Sequence, residues 1–181
     1  MISTTRTLFI CLLFFSCNAA AQQRYFDEKA AISFISDGVV EDISARNEKV
    51  TSIFDVVNGE VAYLLSVKDF QFPNKLMQVH FNEKYLESEK YPKSSFQGKI
   101  AGLNVSAGGK QNVKAVGKLT IHGVSKNVEV PGTIEVSGNR LVLVSKFMVK
   151  LLDYNIKVPQ IVYQNIAQEI EVTVEFTYRP L

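Results

Sequence analysis

At 181 residues, with 20 Lys and Arg against 18 Asp and Glu, the chain carries a formal net charge of +2 and no basic block. That balance excludes the phosphate-tracking stripe of a nucleic-acid binder, and no nucleic-acid partner is expected. The length suits one domain with one substantial core, and no apolar run approaches the roughly 20 residues that a membrane-spanning helix needs.

The N-terminus reads as a secretory signal peptide. Arg6 precedes an apolar run over residues 8–15, followed by Ser16 and then Ala19-Ala20-Ala21. Small residues after a short apolar core predict cleavage after Ala21, leaving a domain at 22–181 in the periplasm or secreted. Both cysteines, Cys11 and Cys17, would leave with the signal, so neither a disulfide nor thiol chemistry is expected in the mature protein. The alternative is a lipoprotein anchored through Cys17, because Phe15-Ser16-Cys17 loosely resembles a lipid-attachment site, although Phe14 stands where such sites carry an aliphatic residue.

Along the mature chain the dominant period is two. A strand is predicted at 31–36, then a hairpin of 53–57 and 61–67 whose Asn58-Gly59 pair favours positive φ at both turn positions. Val61, Tyr63, Leu65 and Val67 then share one face. Residues 74–89 break the alternation: Met77, Phe81 and Tyr85 recur every fourth position with charge between them, which predicts one or two short helices. Pro73 and Tyr91-Pro92 bound them, since the residue before a proline avoids helical geometry.

Further strands are predicted at 96–100, 113–122, 128–136, 141–150 and 156–158, divided by Gly108-Gly109, Gly123 and Ser137-Gly138-Asn139. The last strand is the clearest. Ile170, Val172, Val174, Phe176 and Tyr178 alternate with Glu169, Glu171, Thr173, Glu175 and Thr177, the pattern of a half-buried antiparallel strand. About eight half-apolar strands make an all-β domain, as a barrel or a sandwich; closure has the merit of removing exposed edges.

Chemistry is sparse. His80 and His122 are the only histidines, and no HxH, HExxH or CxxC spacing could gather a metal around them. Each is expected in a surface or turn-capping role. Asp153 belongs to no Ser-His-Asp or paired-carboxylate arrangement, and nucleophile-elbow, Walker and dinucleotide motifs are missing. Neither enzymatic activity, a metal nor a cofactor is expected.

A longer pattern carries a resemblance. His80-Phe81-Asn82-Glu83-Lys84-Tyr85-Leu86-Glu87-Ser88 leads to Lys90-Tyr91-Pro92 and Phe96-x-Gly98, then Gly117-x-Leu119-Thr120-Ile121-His122-Gly123-Val124-Ser125-Lys126, and finally Asp153-Tyr154-Asn155-Ile156. In residues and order this resembles the exported bacterial YceI-like family across the mature chain. The resemblance implies an eight-stranded antiparallel lipocalin-like β-barrel with one or two short helices. It also implies an elongated cavity holding a polyisoprenoid or other long apolar lipid, as carrier or buffer in the envelope.

Cavity-wall or mouth candidates are Phe34, Phe70, Phe72, Met77, Phe81, Tyr85, Tyr91, Phe96, Phe147 and Tyr154, because aromatic and Met side chains offer a flexible chain broad contact. Ala115, Gly117, Leu119 and Ile121 join them on the inward face of one strand, where Ala115 and Gly117 leave room; a bulge at Gly117 is the other reading of that glycine. His80, Asn82, Lys126 and Lys157 are candidates to meet a head group. The expected partner is a long-chain lipid, fatty acids and fatty amides included, with transient membrane contact and a homodimer through an outward strand as further options. The competing function is a secreted interaction module with a filled barrel, and interior volume separates the two.

Overall fold

Among the described residues, alternating apolar side chains drive nine strands into one sheet: β1 (Arg24–Ser36), β2 (Ile43–Asn47), β3 (Val50–Asp55), β4 (Glu60–Ser66), β5 (Lys93–Ala101), β6 (Gly109–Ile121), β7 (Val124–Ser137), β8 (Arg140–Lys150) and β9 (Glu169–Pro180). This computed structural model describes residues 24–37, 42–157 and 167–181. The expected signal peptide, with Cys17, lies outside them. Among the described residues no helix is long and apolar enough to cross a membrane.

Every pairing is antiparallel, and β1 pairs with β9 to close the sheet on itself. β1 meets β2 through Ile32↔Asn47 and β3 through Phe26↔Ile53 in one unbroken register, so β2 and β3 are a single barrel strand interrupted at residues 48–49. The result is a closed eight-stranded antiparallel barrel.

Asn47 causes the interruption. Its fully buried side chain donates from Nδ2 to the Ser66 carbonyl at 2.9 Å and accepts the Lys49 N–H at 2.8 Å, satisfying backbone groups that a regular ladder would have paired. Asp27 bridges the remaining gap by accepting the Ser52 N–H at 2.9 Å, beside a register shift between Asp27 and Lys29. Such a bulge increases local twist, which closure of a small barrel requires.

Three expectations are corrected here. Residues 43–47 form a strand that the pattern did not announce. Ile156 and Lys157 lie in no strand, because Leu151–Tyr154 turn as a 3-10 helix and Asn155 reverses the chain at φ +56; Val158 is outside the described residues. The Asn58-Gly59 turn is four residues long, with only Gly59 at positive φ (+71), because Asp55 accepts the Val57 and Asn58 N–H groups and caps the turn from its start.

One end of the barrel is solidly packed. Phe54, Ile134, Leu141 and Tyr178 have no exposed surface, and the Tyr178 hydroxyl meets Ser52 Oγ at 2.6 Å. Burial is the main cause that holds the Tyr178 phenol well above its ordinary 10, and it does the same to Tyr63. The folded state therefore keeps protons that the unfolded chain releases above about pH 10, and stability, complete below that pH, falls as pH rises through it. Urea midpoints measured across the alkaline range should drop from that point; a flat profile would contradict the burial.

Candidate functional site

The opposite end of the barrel is hollow. A cavity of about 350 Å³ opens where β4 and β8 end and β9 begins, and its wall is almost wholly hydrocarbon. Inward residues stack by depth on each strand: Tyr63, Leu65 and Val67 from floor to mouth on β4 and its continuation, Phe147, Val149 and Leu151 on β8 and its continuation, Val172 and Ile170 on β9. Four residues of strand separate floor from mouth, a depth of about 13 Å. Below the floor a second void of about 50 Å³ is also lined by Tyr63, Leu119 and Phe147, so these three form the partition.

A void of that size is not a packing accident. At roughly 24 cal/mol per Å³ of cavity, leaving it dry would cost on the order of 8 kcal/mol. Net stabilities of whole domains are only about 5–15 kcal/mol.

The lid follows from its sequence. Asn74 accepts the Leu76 N–H and starts α1 (Lys75–His80), which widens into one π-helical turn at Phe81–Tyr85, closed by the Leu86 N–H on the Phe81 carbonyl at 2.8 Å. The four-residue spacing places Met77, Phe81 and Tyr85 on the cavity, with His80 beside them at the mouth. Phe81 stacks on Phe34 at 5.6 Å, and Phe70 and Phe72 meet both rings at 5.0 to 5.9 Å. Each such ring contact adds about 0.5–1.5 kcal/mol beyond area burial, so this four-ring cluster anchors the lid to β1.

His122 anchors the other end of the lid. Its ring is buried, with Nε2 at 2.8 Å from the Glu87 carboxylate and Nδ1 at 3.1 Å from the Tyr154 carbonyl. Glu87 and His122 have positive φ (+42 and +51), as does Asn155 (+56) beside Tyr154, so all the positive-φ non-glycine residues described gather at this junction. Tyr91 packs edge-on to the imidazole at 4.3 Å and fills the space where a Cβ on Gly123 would stand. Both ring nitrogens face oxygens, and the ring ties lid, β6–β7 hairpin and β8 extension together. The expected surface role of His122 is thus corrected, while its place at a hairpin turn holds. Replacing His122 with Ala should raise amide exchange across residues 75–88 about tenfold and leave β6 and β8 unchanged; equal acceleration everywhere would argue against a local clasp.

Of the residues singled out from sequence, Phe34, Phe70, Phe72, Met77, Phe81, Tyr85, Leu119, Ile121 and Phe147 line the main cavity. Phe96 and Ala115 line the smaller void, with Leu119 and Phe147 shared. Tyr91, Gly117 and Tyr154 line neither. Tyr91 and Tyr154 belong to the His122 junction. Gly117 faces Gly98 across β5 and β6, where the Phe96 ring lies over both, and no bulge interrupts that register. Among the head-group candidates, His80 reaches the cavity, Asn82 donates to the Gln78 carbonyl within the lid, and Lys126 and Lys157 are exposed.

The aromatic and glycine signals missed Ile32, Ser36, Ile43, Tyr63, Leu65, Val67, Leu86, Ser94, Val149, Leu151, Ile156, Ile170 and Val172, which complete the wall. Simple alternation would have found several of them. Among the described residues no three His, Cys, Asp or Glu side chains gather as a metal site.

The family model of the YceI-like domain matches residues 26–178. No curated protein matches the sequence significantly. Among solved structures the chain is similar to a polyisoprenoid binding domain from Saccharophagus degradans implicated in plant cell wall breakdown, at 13% identity and TM-score 0.73 over 87% of this chain and 98% of that one. It is similar to Burkholderia cenocepacia BcnA at 20% identity and TM-score 0.70, over 82% and 95%. A Campylobacter jejuni YCEI protein aligns over 97% and 89% at 16% identity and TM-score 0.55. At these identities the likeness is one of fold.

Proposed function

Because this chain belongs to the YceI-like family, we propose that its barrel holds one apolar lipid chain, a polyisoprenoid or a fatty chain, as an exported carrier or buffer. The observation that carries the reading is the 350 Å³ hydrocarbon-walled cavity under an aromatic lid. A solved fold relative bears the description polyisoprenoid binding domain, which supports the same class of ligand. The hollow interior disfavours a filled-barrel interaction module. Binding, not catalysis, suits a wall on which, among the described residues, no nucleophile and base are in contact.

A methylene takes about the room of a water molecule, roughly 30 Å³, so the cavity encloses about a dozen carbons and a longer chain would emerge past the lid. Burying each methylene is worth about 0.8 kcal/mol relative to water, which makes a five-carbon isoprene unit worth roughly 4. The bilayer offers the same gain, so net preference between protein and membrane is small, as a carrier requires. Export rests on Arg6, the apolar run 8–15 and Ala19-Ala20-Ala21, with a Cys17-anchored form as the alternative. The test is organic extraction of protein gently purified from its host. A stoichiometric long-chain lipid in the mass spectrum is expected; protein without lipid that also fails to take up a prenyl or acyl chain in titration would sink the reading.

A further inference from the structure

Among the described residues, the deepest polar group of the cavity has no partner in the protein. Tyr63 lies at the partition, stacked on Phe96 at 5.8 Å and 17° and edge-on to Phe176 at 5.8 Å. It retains part of its surface and lines both voids. The surface it keeps therefore faces the cavities and not bulk water. No hydrogen bond reaches its hydroxyl among the described residues, whereas the comparable buried phenol of Tyr178 is bonded to Ser52. The other polar lining groups are occupied or peripheral: Ser94 Oγ donates to the Thr120 carbonyl at 2.8 Å, Ser36 Oγ accepts the Ala167 N–H at 3.1 Å, and His80 and Tyr85 sit on the lid.

The hydroxyl keeps accessible surface and is open to whatever fills the voids, whereas a tyrosine in an apolar interior normally finds a partner within the protein. Phenylalanine would fill the same space without the hydroxyl. Burial, the larger cause, and nearby Tyr154 keep the phenol protonated, so it is a donor looking for an acceptor. Among the described residues no Lys or Arg lines either void, so none of them would balance a carboxylate or phosphate at that depth.

We propose that Tyr63 is the recognition point of the cavity, donating its hydroxyl hydrogen to a neutral oxygen acceptor, such as a carbonyl, ether or hydroxyl, carried at the inner end of the bound lipid. This rests on the lipid-binding reading and adds to it both an orientation and a chemical class. A neutral oxygenated lipid enters oxygen first, while a charged head group stays at the mouth beside His80.

The experiment compares dodecane, 2-dodecanone and dodecanoate, each displacing N-phenyl-1-naphthylamine from the intact protein and from Tyr63→Phe. The substitution should weaken 2-dodecanone about tenfold, leave dodecane equal or tighter, and leave dodecanoate unchanged. Infrared spectroscopy supplies a second readout that needs no variant: the carbonyl stretch of 2-dodecanone bound to the wild type should lie below its value in hexane, the mark of an accepted hydrogen bond. Equal effects on ketone and alkane, or a hexane-like stretch in the wild type, overturn the Tyr63 assignment while leaving lipid binding intact. Failure of all three compounds to bind overturns both. A tenfold loss confined to dodecanoate also overturns it, since the acceptor would then be a charged one.

Discussion

Replacing Val172 with Trp should weaken binding of a prenyl or acyl chain about a hundredfold without lowering stability. Val172 keeps part of its surface, which faces the cavity at the level of its register partner Phe147 in the partition. In a packed core an added indole forces strain, yet here a 350 Å³ void receives it. An indole that displaces about four ligand methylenes removes roughly 3 kcal/mol of burial, which is about two powers of ten in affinity. The chain contains no Trp, so the new residue is also its only indole reporter, and residual ligand contact would register in its emission. Unchanged affinity would mean that lipid sits elsewhere. Loss of folding would mean that the void is narrower than the structure gives.

Gly117 to Ala should be strongly destabilising although it adds a single carbon outside the cavity. A Cβ there would stand 2.3 Å from the Gln97 carbonyl oxygen, 2.5 Å from the Gly98 Cα and 2.8 Å from the Phe96 ring. Two of these neighbours are backbone, so β5 and β6 would have to part at a paired position, Gly98↔Gly117. The expected loss is on the order of 3 kcal/mol, read as a lower urea midpoint with little change in slope. A loss below about 1 kcal/mol would show that the two strands are not so closely apposed. The glycine matters here because backbone approaches backbone under a ring, and not for the interior room that its inward position suggested.

That difference shows how far the amino-acid pattern reaches. Alternation announced β9 and most other strands, and the fourfold spacing of Met77, Phe81 and Tyr85 announced the lid, because both signals are local. β2 was hidden: its inward positions are Ile43, Ala45 and Asn47, only one of them large and apolar, and Asn47 is buried for its hydrogen bonds. His122 looked like a surface turn residue because its partners, Glu87 and Tyr154, lie more than thirty positions away.

The site was legible in part for the same reason. Aromatic content marked Phe34, Phe70, Phe72 and Phe147, but which half of a barrel stays hollow depends on where lid, floor and strand ends meet. Tyr63, Leu65 and Val67 were visible as one face, and nothing local distinguished the unpartnered Tyr63 hydroxyl from the bonded one of Tyr178.

A single apolar chain is expected to lie inside the barrel between Tyr63 and the lid. Isotope-filtered nuclear Overhauser contacts with farnesol bound to labelled protein test it most directly. Contacts are expected from one chain to Leu65, Phe147 and Val172 and, at the mouth, to Met77 and Phe81. Contacts confined to exposed side chains such as Leu76, Val116 or Leu152, or none at all, would contradict it.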